Sequence, residues 1–320
     1  MTIRQSLLRM MLLIRAVEER IGELVSAGEV KTPCHLSIGQ EAIAAGVCAA
    51  LGRQDTVWGG HRSHGHYLAK GGDLPGMMAE IFGKTTGCSK GRGGSMHLVD
   101  TAHGLYGTVP LVGATIPLAV GAGLASKLRH QPHVAVAFFG DGATEEGHFH
   151  ESLNLAALYR LPVLFVCENN FYSTHMALSE RRLKDNIVQG AEPSGMPAVR
   201  LDGNDVLAVF DSALQAVVRA RAREGPSFLE CRTYRWRGHV GPGMDLTVGE
   251  HRRRELDEWL PKDPIPRLKR RLLEEGASAQ DLDAMEPAIQ DEVEAAVAFA
   301  RASPLPDEGD LFRHVYGPQR

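Results

Sequence analysis

No Cys-x-x-Cys pair occurs among the five cysteines at positions 34, 48, 88, 167 and 231. That argues against a disulfide framework or a zinc ribbon and favours a reducing compartment, the cytoplasm. No apolar stretch is long and uninterrupted enough to span a bilayer, so no membrane partner is expected. Basic charge is not in excess: 35 Lys and Arg stand against 39 Asp and Glu, for a net charge of −4 and a pI near 6.4. A nucleic-acid partner, which a basic patch would serve, is therefore not expected. Internal repeats, low-complexity tracts and a convincing linker are also missing. Residues 1–302 read as a single α/β domain with helical extensions, and 303–320 as a proline-rich tail that packs on a partner or frays. Residues 1–25 contain arginine and leucine, but Glu18, Glu19 and Glu23 fit a folded amphipathic helix better than a transit peptide.

Several familiar motifs are absent as well. Residues 83–97 are glycine-rich and polar, but Gly83-Lys84-Thr85 lacks the upstream glycine of a Walker loop and follows no strand. Gly121-x-Gly123 is a poor nicotinamide fingerprint, because Ser126 replaces the third glycine and no strand precedes it. Gly93-Gly94-Ser95 lacks the trailing glycine of a nucleophile elbow. His61, His64 and His66 cluster at a spacing that matches no zinc motif, with no cysteine or HExxH nearby. Arg62 among them reads as a phosphate clamp or as a solvated surface arginine.

What is present centres on residues 134–172. The run Val134 to Phe139 has the apolar, β-branched character of a strand buried on both faces. It ends in Gly140-Asp141-Gly142, a helical pattern follows with Phe149, Leu153, Ala156 and Ala157 on one side, and Val163 to Cys167 forms a second strand ending in Glu168-Asn169-Asn170. Gly-Asp-Gly alone fits a hairpin or tight turn. In an open α/β sheet, however, both motifs would lie beyond the carboxyl ends of the strands, where ligands bind. A helix start after a glycine turn suits a phosphate, and Asp141 and Asn170 supply the hard oxygens that magnesium prefers. A magnesium-diphosphate site follows.

Elsewhere, helices are expected over 3–27, from the 32–41 loop to about 51, over 112–129 and over 205–223, and strands over 55–58, 198–201 and 227–234. Residues 173–195 and 238–243 read as loops, and 249–302 as charged helix broken at Pro261, Pro264 and Pro266. The fold class is thus α/β, a mostly parallel sheet flanked by helices on both faces, with helical C-terminal segments.

The order strand, Gly-Asp-Gly, helix, strand, Asn-Asn resembles the thiamine diphosphate signature. Almost the whole chain, through CHLSIGQEA, HRSHGHYLAKG, GRGGSMH, VGATIPLAVGAGLA and TYRWRGH, is similar to the alpha subunit of the decarboxylating component of 2-oxo acid dehydrogenase complexes, the pyruvate, branched-chain and acetoin dehydrogenases. The resemblance implies that Asp141, Asn170 and the backbone oxygen of Tyr172 hold magnesium, and that Gly142 and Ala143 contact the diphosphate, with Arg62, Arg235 and His239 as donors. Leu111 corresponds to the wedge that bends the cofactor, the backbone at Pro110 and Val112 faces its aminopyrimidine, and His35 and His239 correspond to active-site histidines. His61 stands where many relatives carry tyrosine and can still donate a hydrogen bond, Pro110 replaces a common glycine, Arg237 replaces a histidine, and Val240 replaces a serine phosphorylated in mitochondrial pyruvate dehydrogenases. The implied assembly is two alpha and two beta subunits, with a beta-subunit glutamate completing the site and a lipoyl domain of the acyltransferase accepting the acyl unit. Acetoin cleavage is the nearest alternative to 2-oxo acid decarboxylation, and a non-catalytic scaffold subunit is a more distant one.

Overall fold

The computed structural model describes residues 1–247, 252–313, 315 and 317. The helix expected at 249–251 and the tail at 314, 316 and 318–320 lie outside the described residues. The strands are β1 (Thr56–Gly59), β2 (Leu105–Thr108), β3 (Ala135–Gly140), β4 (Val163–Asn169), β5 (Tyr172–Ser173), β6 (Met176–Ala177), β7 (Ala198–Asp202) and β8 (Ser227–Arg232). Six of them form one sheet in the order β2-β1-β3-β4-β8-β7, and every neighbouring pair is parallel. β5 and β6 form a small antiparallel ribbon.

The sheet separates two apolar layers, as strands buried on both faces require. Val136, Phe138, Leu164, Val166 and Leu229 pack with the helices Ile3–Ser26, Glu41–Ala49 and Val206–Arg221. The alternate residues Ala137, Phe139, Val163, Phe165 and Phe228 pack with Thr115–Leu128 and Gly147–Leu158. Helices thus cover both faces. The C-terminal helix Met285–Ala302 lays Ile289, Val293 and Val297 into the first layer, beside Leu74–Ile81. Among the described residues, no helix is long and apolar enough to cross a membrane.

Register decides where the chemistry can sit. Phe139 pairs with Cys167 and Gly140 with Glu168, so the Gly-Asp-Gly and Asn-Asn segments leave the sheet side by side at its carboxyl edge. Three expectations are corrected. Gly140 is followed by a 3-10 turn, Asp141–Glu145, and the α-helix begins only at Gly147. The 173–195 loop contains the ribbon, a short helix at Leu178–Arg181 and a 3-10 segment at Val188–Ser194. The tail begins packed on its own chain, where Thr85 N donates to Pro304 O at 3.0 Å and Thr86 Oγ1 to Ser303 Oγ at 2.6 Å.

Candidate functional site

A cavity of about 210 Å³ opens at the carboxyl ends of β1, β3 and β4. His35, His61, Arg62, Leu111, Val112, Asp141, Gly142, Ala143, Asn170, Tyr172 and His239 all line it, so eleven of the twelve candidate residues converge on one space. Arg235 does not line it. Its buried guanidinium lies behind the wall and donates to Arg237 O at 3.2 Å and to Thr174 O at 2.6 Å.

Asp141 and Asn170 offer hard oxygens into this space. Asp141 Oδ1 is buried and has no hydrogen-bond partner, a costly state for a carboxylate oxygen unless a cation meets it. Burial pushes the Asp141 carboxyl above its usual value, even though Arg181 pairs with Oδ2. Asn170 Nδ2 donates to Gln40 Oε1 at 3.0 Å, which turns the amide so that Oδ1 accepts from Tyr172 N at 3.2 Å. This donor set suits magnesium, which takes few protein ligands and completes its octahedron with phosphate oxygens and water. Gly142 is required by packing, because a Cβ there would lie 2.6 Å from Ser173 Oγ. Phe171 and Thr174, flanking the ribbon's first strand, hold left-handed backbone at φ 67° and 54°. Such strain is uncommon for non-glycine residues and collects at functional sites.

The opposite wall is cationic. Arg62 donates to Leu36 O at 2.5 Å and to His239 O at 3.1 Å, and burial pulls it down to about 10, still charged at neutral pH. Burial likewise lowers Arg235 to about 9, with repulsion from Arg62 and Arg252 adding to the effect. The rings of His35, His61 and His239 stand 4.5 to 5.3 Å apart, centroid to centroid. Burial first, and then neighbouring positive charge, holds them at about 2, 3 and 4, so all three are neutral near pH 7. Their nitrogens lie within 4.8 Å of one another, a spacing that invites a metal reading. The field of Arg62 and Arg235 opposes a cation there and favours an anion.

Of the clustered histidines, His64 leaves the site. Its Nδ1 meets Glu18 at 2.9 Å and its Nε2 meets Ser95 Oγ at 2.8 Å, all of them fully buried. Glu18 also accepts from Ser37 N and Oγ at 2.9 and 2.7 Å, which braces the loop that carries His35. Sequence reasoning missed three features. His66 and Glu168 line the cavity as a pair at 3.1 Å, with His66 stacked on Phe138. Arg181 reaches Asp141 from forty positions along the chain. The glycine-rich segment at 87–94 is built around an internal anion: Glu80 accepts backbone N–H groups from Ser89, Gly91, Gly93 and Gly94 at 2.7 to 3.1 Å. Only the last left a signal, an unexplained density of glycine; the other two depend on long-range pairing.

The fold and this cavity define an α/β enzyme subunit with its ligand site at the strand tips, and comparison with known proteins identifies the family. The family model described as "Dehydrogenase E1 component" matches residues 9–308, and the chain belongs to that family, among its alpha-type members. It is 44% identical over 307 residues to the alpha subunit of the acetoin:2,6-dichlorophenolindophenol oxidoreductase of Bacillus subtilis, covering 96% of this chain and 91% of the relative. It is 40% identical to the pyruvate dehydrogenase E1 component subunit alpha of Zymomonas mobilis, covering 96% and 86%, and 40% identical to the chloroplastic pyruvate dehydrogenase E1 component subunit alpha-3 of Oryza sativa, covering 96% and 74%.

Proposed function

We propose that this chain is the alpha subunit of a magnesium- and thiamine diphosphate-dependent 2-oxo acid dehydrogenase, working with a beta subunit in an assembly of two alpha and two beta chains. One observation carries the reading: the buried, unpartnered Oδ1 of Asp141 and the oriented Asn170 line one cavity at the tips of adjacent parallel strands. When bound at this site, the cofactor would supply a nucleophilic thiazolium carbon and an electron sink for decarboxylation of a 2-oxo acid, with a lipoyl group as the acyl acceptor.

The protein's own residues perform the remaining tasks. Asp141, Asn170 and the Tyr172 carbonyl hold magnesium, and Gly142 and Ala143 let the diphosphate approach the start of the turn. Arg62 and His61 donate to phosphate oxygens, with Arg235 setting the positive field behind them. His35 and His239, neutral at pH 7, each offer one ring N–H donor and one bare ring nitrogen at the cavity wall, suited to hydrogen-bonding a substrate oxygen. Leu111 and Val112 are 69% and 51% exposed beside the cavity, as a wall completed by a second subunit would be.

The test is thermal stabilisation of the purified protein by thiamine diphosphate with magnesium. The wild type is expected to gain several degrees and the Asp141→Asn variant almost none; equal gains would remove the reading. A second substrate class is favoured by the Bacillus relative, named for acetoin. Turnover of acetoin against a panel of 2-oxo acids, with an artificial electron acceptor, separates the two.

A further inference from the structure

Arg181 ends the short helix that follows the β5–β6 ribbon, and its side chain is only 7% exposed. One terminal nitrogen pairs with Asp141 Oδ2 and the other with Glu145. Arg182, next in sequence, donates to Thr144 O at 3.0 Å and to Thr144 Oγ1 at 2.6 Å. Two consecutive arginines therefore grip the 141–145 turn, but only Arg181 touches the carboxylate that faces the cavity.

We propose that Arg181 is the built-in counter-ion of the metal carboxylate, and that it makes divalent-cation binding conditional on the diphosphate. The inference rests on the cofactor reading above and concerns the order in which that site fills. A divalent ion arriving alone meets an aspartate whose charge is already balanced, in a cavity that also feels Arg62 and Arg235. The other carboxylate lining the space, Glu168, is engaged by His66 at 3.1 Å. The net field is unfavourable to a free cation, and the desolvated setting strengthens that field. A diphosphate reverses the sign by bringing several negative charges to the cationic wall, so metal and diphosphate occupy the site together. Oδ1 of Asp141 stays bare for the metal because Arg181 takes Oδ2.

The experiment follows free Mn2+ by electron paramagnetic resonance in the protein purified through a tag on this chain and freed of metal and cofactor. The wild type is expected to take up Mn2+ tightly with thiamine diphosphate and at least about tenfold more weakly without it. Arg181→Met should bind Mn2+ alone at least about tenfold more tightly than the wild type. Arg181→Lys, which keeps the charge, and Arg182→Met, which leaves Asp141 paired, should behave as the wild type. If Arg181→Met takes up Mn2+ alone no better than the wild type, or the wild type binds it tightly without diphosphate, Arg181 is no gate and the cofactor reading still stands. A wild type that holds no Mn2+ even with thiamine diphosphate overturns both.

Discussion

The three neutral histidines show how position overrides intrinsic chemistry. Burial lowers His35, His61 and His239 to about 2, 3 and 4, against 6.5 for a free side chain. For a base whose folded value lies below its unfolded one, the unfolded chain takes up the proton first. The stability that depends on neutral rings is complete above pH 6.5 and drains away as pH falls towards the folded values. The melting temperature should therefore drop steeply between pH 6.5 and 4, and His61→Gln should make that slope shallower; an unchanged slope would contradict the buried, uncompensated placement. Packing is equally strict at Gly142. Gly142→Ala would push a methyl group onto Ser173, at a cost of about 1–3 kcal/mol. Calorimetry should show that loss, and a second change, Ser173→Gly, should recover most of it.

At the scale of elements, β3 and β4 were legible because each is a short, continuous apolar run closed by a polar signature, and their unbroken parallel pairing from Ala135–Val163 to Gly140–Glu168 brings the signatures side by side. The edge strand β2, with its LYGT sequence, has no such pattern and is defined by pairing with β1, which a local reading does not see. The start of the 147–158 helix was misplaced because the turn after Asp141 is tightened to 3-10 geometry, with Thr144 Oγ1 bonded back to Asp141 O at 2.6 Å. The glycine-rich segment was recognisable as special but not as structural. Its glycines let four amide groups turn inward onto Glu80, with Gly91 and Gly94 at positive φ. Glu80→Gln places an amide among those donors and should cost about 3 kcal/mol, read as a fall in denaturation midpoint with little change in slope.

On the scale of the whole molecule, the apolar surface points to a partner. Leu111 and Val112 are exposed at the cavity mouth, and Leu118, Leu155 and Leu158 are exposed on the Thr115–Leu128 and Gly147–Leu158 helices. Charges placed there should block assembly without disturbing the fold. Leu111→Asp with Leu158→Asp is expected to keep the far-ultraviolet circular dichroism of the wild type yet sediment as a free chain when mixed with the beta subunit. Co-sedimentation of the variant would assign these leucines another role. The sequence motifs marked out the cavity itself, but not these exposed leucines, because which apolar side chains of a helix stay uncovered is decided only by packing.

Arg62 is anchored to the main-chain oxygens of Leu36 and His239, and Arg235 to those of Arg237 and Thr174. Each guanidinium is thus tied to peptide groups of the loops around the cavity, leaving most of its charge unspent. An arriving polyanion meets Arg62 directly and pulls on the loops that hold it through their carbonyls, while Arg235, paired with Asp245 at 3.8 Å behind the wall, couples to it only through the field. Loading the cavity should therefore quiet the 34–38 and 237–239 segments together, visible as a shared slowing of amide hydrogen exchange in stretches distant from one another in sequence.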